Sequence, residues 1–396
     1  MAATTVTNLT TAVREGWETK VLAIADGMLV ADKFAQTKVL GKGAGGTWTV
    51  NRILRVAKQT SVGTFGTRIA GSAAKNLVSN KMQIQPELWQ DSFGFEDDVD
   101  IKVFFTDADY DKTIGQHMAN SLDFQLMTEI STNCLRHRID KDATYQKAFT
   151  PNSATATTIV EADFTEADDF WNGGYITVTT PEGPAYDETQ KVTDFTATSD
   201  TLTTDAWTNT LTTASDARIT VGTGIVAGDK LTSGALLDVA GLHRKLETEK
   251  FPGGVLHGFI DAAQEADLWT DTSFVDNSAY DASQRFANYR LVRWLDMELL
   301  VSSNIYRESV AGAASTTGIV YVAPIFGANS YCLIKWGTPG SGIYGVEFLY
   351  VFEPDSENLT ANQRFVSWKT SIGKGVLRAT SIIGLMTGAT DQVLII

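Results

Sequence analysis

The chain has 396 residues, 43% of them hydrophobic and 10% aromatic, with a formal net charge of −15. This length and composition support a packed core in two or three modules and argue against a disordered protein. The excess of acid opposes nonspecific binding to nucleic acid or to an anionic membrane. The N-terminus has no signal-peptide pattern, and no segment approaches the ~20 apolar residues of a membrane span. We therefore expect a protein made in a reducing cytoplasm.

Residues 1–46 are predicted to form an arm with a short amphipathic helix. Trp17, Val21, Ile24 and Leu29 recur near the helical period. The glycine-rich run that follows, GKGAGG at 41–46, predicts a bend.

Residues 47–90 are predicted to form a long two-stranded ribbon, because two alternating runs flank the glycine-rich sequence SVGTFGTRIAGS. An isolated ribbon is marginal in water. This one is basic in an acidic chain, so we predict that it lies on the acidic surface of another copy. Nucleic acid is the weaker alternative, because aromatic residues do not alternate with the basic ones. The predicted interface residues are Trp17, Arg52, Arg55, Lys58, Phe65, Arg68, Lys75 and Lys81.

Residues 91–104 predict an acidic turn and a short strand, followed by the longest helix of the chain. Thr106 and Asp109 have the spacing of a capping box. Apolar residues then repeat every four positions to about Ile139, which predicts one apolar stripe on which a sheet packs. The stripe consists of Tyr110, Ile114, Met118, Leu122, Leu126, Ile130 and Cys134.

Residues 140–232 predict a small all-β module, rich in threonine, aspartate, glycine and alanine. The runs YITVTT, QKVTDF, DTLTTD and ARITVG are separated by turn signals. Trp171 and Trp207 are predicted to anchor its core. Because mixed α and β patterns lie on both sides, we interpret the module as an insertion. Its acidic residues include Asp163, Glu166, Asp168, Asp169, Glu182, Asp187 and Glu188.

Residues 233–344 return to mixed structure, with a helix predicted to open at Ser233 as its cap. Strands are predicted in GGVLHGFID and ELLVSSNIY, and short helices in AAQEADLWTD and ASQRFANYRL. GIVYVAPIFG is almost continuously apolar and predicts a central strand. ANSYCLIKWG stays open between helix and strand. Residues 345–396 predict long strands, from VEFLYVFEP to the final QVLII, that pack under the long helix.

No catalytic or metal-binding frame is found in the sequence. Cys134 and Cys332 are expected to be buried apolar side chains, and the four histidines have no metal-ligand spacing. The nucleophile elbow and the phosphate-binding loop are absent. The acidic runs at 95–100 and 166–169 lack the calcium-loop spacing and are interpreted as solvated turns. We predict no metal and no cofactor.

The order of arm, ribbon, long helix, insertion, central domain and closing strands resembles the HK97-type fold of tailed-bacteriophage major capsid proteins. VYVAPIFGANSYCLIKWG at 320–337 resembles a strand-then-helix passage of the capsid family of coliphage N-four. Residues 353–389, with the pair Trp368–Lys369, resemble that family's C-terminal stretch. Residues 170–208 resemble a β-rich module inserted in such proteins.

The resemblance implies an α+β HK97-type capsid fold in six parts and a structural, non-enzymatic protein. The chain is then expected to form hexamers and pentamers in an icosahedral shell around double-stranded DNA, with weak DNA contact and no membrane partner. A portal is a further expected partner. The sequence leaves open whether a decoration protein binds. The expected parts are the N-arm (1–46), the E-loop (47–92), the P-domain with its spine helix (93–139), the inserted β-rich domain (140–232), the A-domain (233–344) and the P-domain return strands (345–396).

Since the sequence begins with Met1, we expect that no scaffolding domain is removed and that the scaffolding protein is separate. The expected location is the virion capsid, after synthesis in the host bacterial cytoplasm. Two alternatives remain open. An encapsulin-type shell would share the fold but enclose enzyme cargo. A carbohydrate-active enzyme with a β-module belongs to a different class, and no placed pair of carboxylates supports it.

Overall fold

The computed structural model of the chain describes residues 11–40, 47–53, 79–95, 108–180, 185–209, 211–213, 215–226, 228–274, 294, 296–309, 319–336, 346–351 and 364–389. Predictions for other residues lie outside this part of the chain. They include the glycine-rich run 41–46, the ribbon tip, the capping residue Thr106, the helix predicted in ASQRFANYRL and the final QVLII. The described residues form a mixed α+β fold, as predicted.

The helices are α1 (Thr11–Met28), α2 (Ala108–Thr132), α3 (Ser233–Lys245) and α4 (Ala262–Thr270). The first ten strands are β1 (Gln36–Leu40), β2 (Trp48–Ile53), β3 (Ser79–Ile84), β4 (Glu87–Phe95), β5 (Leu135–Arg138), β6 (Gln146–Phe149), β7 (Ser153–Ala154), β8 (Thr158–Val160), β9 (Tyr175–Val178) and β10 (Thr189–Thr196). The others are β11 (Thr201–Thr204), β12 (Ala217–Thr220), β13 (Leu256–Ile260), β14 (Met297–Val301), β15 (Arg307–Ser309), β16 (Ile319–Phe326), β17 (Tyr331–Trp336), β18 (Glu347–Val351), β19 (Arg364–Val376) and β20 (Ile382–Thr387).

The chain divides into two compact units, each built from separated segments. The first unit contains Met1–Trp48, Gln83–Leu126 and Cys332–Gly375. The second contains Thr49–Met82, Met127–Tyr331 and Val376–Ile396. The division into six parts that the resemblance implies stays a prediction.

A five-stranded sheet forms the framework of the first unit. Its order is β1–β17–β19–β18, and β4 pairs with β19 as well. Alternate residues of β19 are buried, from Val366 to Ile372, as expected for a sheet with one covered face. Trp368 lies in the middle of that face, opposite Asp91 on β4 and Phe348 on β18.

Helix α1 packs into the same unit through an apolar stripe. Trp17, Val21, Ala25 and Leu29 are buried at intervals of four residues, which confirms the predicted amphipathic helix. The predicted Ile24 is half-buried and touches α2 at Gly115, where a Cβ atom would lie 2.8 Å from the Ile24 Cγ2. The glycine therefore allows the two helices to approach closely.

Helix α2 confirms the predicted long helix but ends at Thr132, so its expected extension to Ile139 is wrong. Ile114, Met118, Leu122, Leu126 and Ile130 are buried as predicted. After Thr132, the residues from Leu135 to Arg138 form β5 and pair in parallel with β20. The hydrogen bonds of the sheet outweigh the four-residue apolar period there, because that period carries no information about strand pairing.

The second unit contains a six-stranded sheet in the order β14–β13–β16–β20–β5, with β15 also paired to β16. The predicted central strand is confirmed, because β16 lies between β13 and β20 and is buried almost throughout. Residues 331–336 form the strand β17, so the strand-then-helix passage expected at 320–337 is wrong. The final segment also splits, with β19 in the five-stranded sheet and β20 in the six-stranded one.

Residues 146–220 form a seven-stranded sheet in the order β6–β12–β9–β10–β11–β8–β7. All four runs predicted as strands are present, as β9, β10, β11 and β12. Trp171 and Trp207 both lie in its buried apolar cluster, as predicted. The described residues of this segment thus form β structure with a core of its own.

Two local predictions have different outcomes. The N-terminal cap of α3 is Thr232, whose hydroxyl accepts a hydrogen bond from the Ala235 amide at 3.3 Å, so the cap predicted at Ser233 is wrong by one residue. Cys134 and Cys332 are both buried, as expected. Burial raises the pKa of the Cys134 thiol to about 11, which keeps it protonated and unreactive.

The contact at Gly115 generates a first test. In Gly115→Ala the new methyl would also lie 3.1 Å from the Val21 carbonyl oxygen. Alanine normally stabilises a helix by up to ~1 kcal/mol, but overpacking costs ~1–3 kcal/mol, so we expect a net loss of about 1 kcal/mol. Urea unfolding of the unassembled chain measures the change.

Gly241→Ala on α3 is the matched control, because a Cβ atom there meets nothing within 4 Å. We expect this variant to be more stable than the parent chain by up to ~1 kcal/mol. A Gly115→Ala protein as stable as Gly241→Ala would show that α1 and α2 are not closely packed.

Candidate assembly surfaces

The structure describes three of the eight predicted interface residues. Arg52 lies on β2 and Lys81 on β3, and these two strands pair as the predicted ribbon requires. Arg55, Lys58, Phe65, Arg68 and Lys75 lie outside the described residues.

Trp17 is buried inside the first unit. Its side chain is only 3% exposed, and its ring contacts Phe348 of the same chain edge-on, with 5.2 Å between ring centroids. A side chain buried in its own subunit has almost no surface left for a neighbour. Trp17 therefore holds α1 on the five-stranded sheet, and its contact with another subunit stays a prediction.

The start of the ribbon is fastened to the first unit. The Lys38 ammonium lies 4.6 Å from the ring centroid of Trp48, a cation–π contact between β1 and the first residue of β2. The Gln85 side-chain amide donates to the Thr47 hydroxyl at 3.4 Å. Ile84, at the end of β3, is buried. These contacts fix both ends of the segment from which the ribbon extends.

The five-stranded sheet has a second face, which is largely polar. Lys369 on β19 pairs with Glu347 on β18 at 3.0 Å. The strand register places Leu88 and Leu349 on this face, beside Ser371 and Ser367. The two leucines are 63% and 46% exposed. They are candidate contact points for another subunit.

The β-rich segment has a large excess of acidic over basic residues. Residues 140–232 contain 15 Asp and Glu residues against five Lys and Arg. Several of these carboxylates hold turns together. Asp168 accepts from the Ala197 amide at 2.9 Å, Asp169 from the Asn172 side chain at 2.7 Å and Glu166 from the Trp171 indole at 3.1 Å. The run at 166–169 therefore has a structural role in the turn.

Arg136 is a buried charge that sequence reasoning missed. Its guanidinium lies 2.5 Å from the Glu308 carboxylate and 3.6 Å from the ring centroid of Tyr175. Burial disfavours the charged form, but Glu308, Tyr175 and Cys134 together outweigh it and raise the pKa of Arg136. Because β5 was predicted as helix, Arg136 was assigned no role. The alternation of arginine with other residues in LRHRI, at 135–139, was the signal that could have indicated a strand.

Arg138, two residues further along β5, joins the six-stranded sheet to the β-rich segment. It donates two bonds to Asp140, at 2.9 and 2.5 Å, and further bonds to the carbonyl oxygens of Val221 and Thr223, at 2.7 and 2.6 Å. Its guanidinium also lies 4.6 Å from the Tyr145 ring centroid. These bonds fix the β-rich segment against β5.

Threonine hydroxyls complete this junction. Thr177 on β9 donates to the Cys134 carbonyl oxygen at 3.3 Å, and Thr220 on β12 donates to that of Arg136 at 3.4 Å. His137 contacts Arg218 at 3.0 Å. Burial and then Arg218 lower the pKa of His137 to about 4, so this histidine is neutral near pH 7.

Within the described ranges, no group of three or more His, Cys, Asp or Glu side chains is placed to hold a metal ion. The helices found there also include none with both the length and the apolar character needed to cross a membrane.

The buried arginine generates a second test. In Arg136→Met the Glu308 carboxylate loses its partner, and we expect a loss of ~3–5 kcal/mol in the free energy of unfolding. Lys141→Met is the matched control, since Lys141 pairs with Asp238 at the surface and such pairs contribute ~0–1 kcal/mol. Chemical denaturation measures both, and equal losses would contradict the role of Arg136.

The sequence matches no protein-family model and no curated protein. Among solved structures the chain is similar to the capsid of Ralstonia phage GP4, with a TM-score of 0.51 and 14% identity over 92% of this chain and 89% of that chain. It also matches the capsid of cyanophage P-SCSP1u, with a TM-score of 0.46 and 12% identity over 89% of this chain and 86% of that one. The capsid of cyanophage Pam1 gives a TM-score of 0.46 and 12% identity over 89% of each chain. The likeness to the Ralstonia phage capsid confirms that the chain has a phage-capsid type of fold.

Proposed function

We propose that this chain is the major capsid protein of a tailed bacteriophage, and that its copies form the icosahedral shell enclosing double-stranded DNA. The observation that carries this proposal is the similarity of fold to the Ralstonia phage GP4 capsid over 92% of this chain and 89% of that one. A likeness this extensive leaves no part of the chain for a separate catalytic domain. We therefore assign the protein a structural role and no enzymatic one.

The order of elements supports an HK97-type arrangement. Helix α1 belongs to the N-arm (1–46), β2 and β3 form the base of the E-loop (47–92), and α2 is the spine helix of the P-domain (93–139). The seven-stranded sheet forms the inserted domain (140–232). Residues 233–344 then form the A-domain around the fivefold and sixfold axes, and residues 345–396 supply the return strands.

Charge supports the way in which neighbouring subunits meet. The ribbon carries Arg52, Arg55, Lys58, Arg68, Lys75 and Lys81 in a chain whose net charge is −15. A basic ribbon is attracted to the acidic surface of the next copy, and such pairing sets register and partner choice more than affinity. Several contacts per subunit act together, since each raises the effective concentration of the others.

The shell role implies further partners. A portal and a separate scaffolding protein complete assembly, and a decoration protein is a possible further partner. The excess of acid keeps contact with packaged DNA weak. The protein is made in the host bacterial cytoplasm and resides in the virion capsid.

Expression of the full chain, alone and with its scaffolding protein, followed by negative-stain electron microscopy, tests the proposal. We expect closed particles whose pentamers and hexamers are visible in class averages. A chain that stays monomeric under both conditions would contradict a capsid role.

A substitution at the ribbon tip tests the predicted subunit contact. Phe65→Asp should leave the subunit folded but block particle formation, because a charge replaces the large apolar side chain of the tip. Phe65→Leu is the control, since it keeps an apolar side chain and should still assemble. Circular dichroism and sedimentation velocity separate loss of folding from loss of assembly. Normal particles from Phe65→Asp would remove the tip from the interface.

A further inference from the structure

The segment that follows helix α1 is held to α2 by a buried carboxylate, that of Asp123. Its two oxygens accept hydrogen bonds from the backbone amides of Val30, at 2.9 Å, and Ala31, at 3.2 Å. These residues are 93 and 92 positions away in sequence. The Asp123 side chain is only 3% exposed.

Both amides lie where the chain leaves α1 and enters a short 3₁₀ turn, Ala31–Phe34, whose own N-terminal residue provides no side-chain cap. The first amides of a helical turn have no partner within it. Asp123 supplies that partner from a distant part of the sequence. We call residues 11–34, from the start of α1 to Phe34, the N-terminal latch.

Other charged groups surround this carboxylate. Asp32 and Lys33 belong to the 3₁₀ turn itself. Lys335, on β17, contacts the Asp32 carboxylate at 3.4 Å. Lys374, on β19, donates to the Gln125 side-chain oxygen at 3.2 Å. Both lysines are thus engaged by partners other than Asp123.

A cavity of about 20 Å³ borders the same carboxylate. Asp32, Gln125 and Lys374 line it together with apolar side chains such as Leu29 and Leu126. A space of this size holds about one water molecule. Asp123 is therefore surrounded by little solvent to stabilise a negative charge.

Burial raises the pKa of Asp123 to about 6. The two backbone amides lower it, and nearby Asp32 raises it further while Lys33 lowers it. In a released latch Asp123 would be exposed to water and would titrate near its ordinary value of 3.8. The attached state therefore binds the proton more tightly than the released state does.

We propose that Asp123 makes attachment of the N-terminal latch depend on pH, so that the latch is held tightly in acid and loosens toward neutral and alkaline pH. The sign follows from linkage, because a state that binds a proton more tightly is favoured where protons are abundant. The extra stability of attachment is complete below the released pKa and is lost as pH rises through about 6. The buried apolar stripe of α1 favours attachment at every pH, so the proton changes only the equilibrium between the attached and the released latch.

Hydrogen exchange of the unassembled full chain, at pH 5 and pH 8 and corrected for intrinsic amide rates, tests this proposal independently of the capsid role. We expect the opening equilibrium in peptides spanning residues 17–31 to be about tenfold larger at pH 8 than at pH 5. Between a pH below 4 and pH 8, the difference in the opening equilibrium should approach about 100-fold.

Asp123→Asn is the decisive variant. Its amide oxygen still accepts from the Val30 or Ala31 amide but does not titrate, so latch protection should be the same at both pH values. Asp32→Asn removes a neighbouring negative charge and should reduce the pH effect without abolishing it. Asp238→Asn, at the surface of α3, should keep the full effect.

The six-stranded sheet provides an internal comparison. Burial lowers the pKa of His243 to about 4, although the bond to the Ile325 carbonyl opposes this shift. A folded pKa below the ordinary 6.5 contributes stability that is lost as pH falls from 6.5 toward 4. His243 lies on α3 and bonds to Ile325 on β16, so peptides of these two elements should loosen in acid while the latch tightens. Equal latch protection at both pH values, or the same pH effect in Asp123→Asn, would overturn the proposal.

Discussion

The buried charge on β5 is the constraint on which the second unit depends. Arg136 and Arg138 are buried at the edge of a sheet, and a guanidinium in that position is tolerated only when partners surround it. Glu308, Asp140 and the carbonyl groups of the β-rich segment supply them. A four-residue strand thereby becomes the shared border of two sheets. Replacing the arginines with apolar residues would keep volume but remove the directional bonds that set the position of the β-rich segment against β5.

The first unit depends on a different balance. Its elements come from three distant stretches of chain, and apolar contacts such as Trp17 on Phe348 supply most of the attraction. Asp123 adds direction, since it joins α2 to two specific amides. The cost of burying its charge makes this unit responsive to protons, whereas the salt bridges of β5 fix the direction of their side chains. The same physical principle, a partnered buried charge, thus gives rigidity in one unit and adjustability in the other.

Sequence periodicity was sufficient to predict an element where the residues of that element determine its structure. The stripe from Ile114 to Ile130 predicted α2, and the alternation of TLTT and ARIT predicted two strands of the seven-stranded sheet. It failed where contacts with residues distant in the sequence determine the structure. Residues 135–138 continue a helical period yet pair with β20. Asp123 looks like an ordinary polar position in a helix, because the two amides that it caps lie more than 90 residues earlier.

The division of the first unit among three segments bears on how the protein is made. Its last segment, Cys332–Gly375, carries β17, β18 and most of β19. On a ribosome, the nascent polypeptide cannot close the five-stranded sheet until residues 364–376 have been synthesised, because β19 is its central strand. The second unit likewise cannot complete its six-stranded sheet until β20 has been synthesised. A truncated translation product therefore lacks a central strand of each sheet, which excludes incomplete chains from any lattice that requires both.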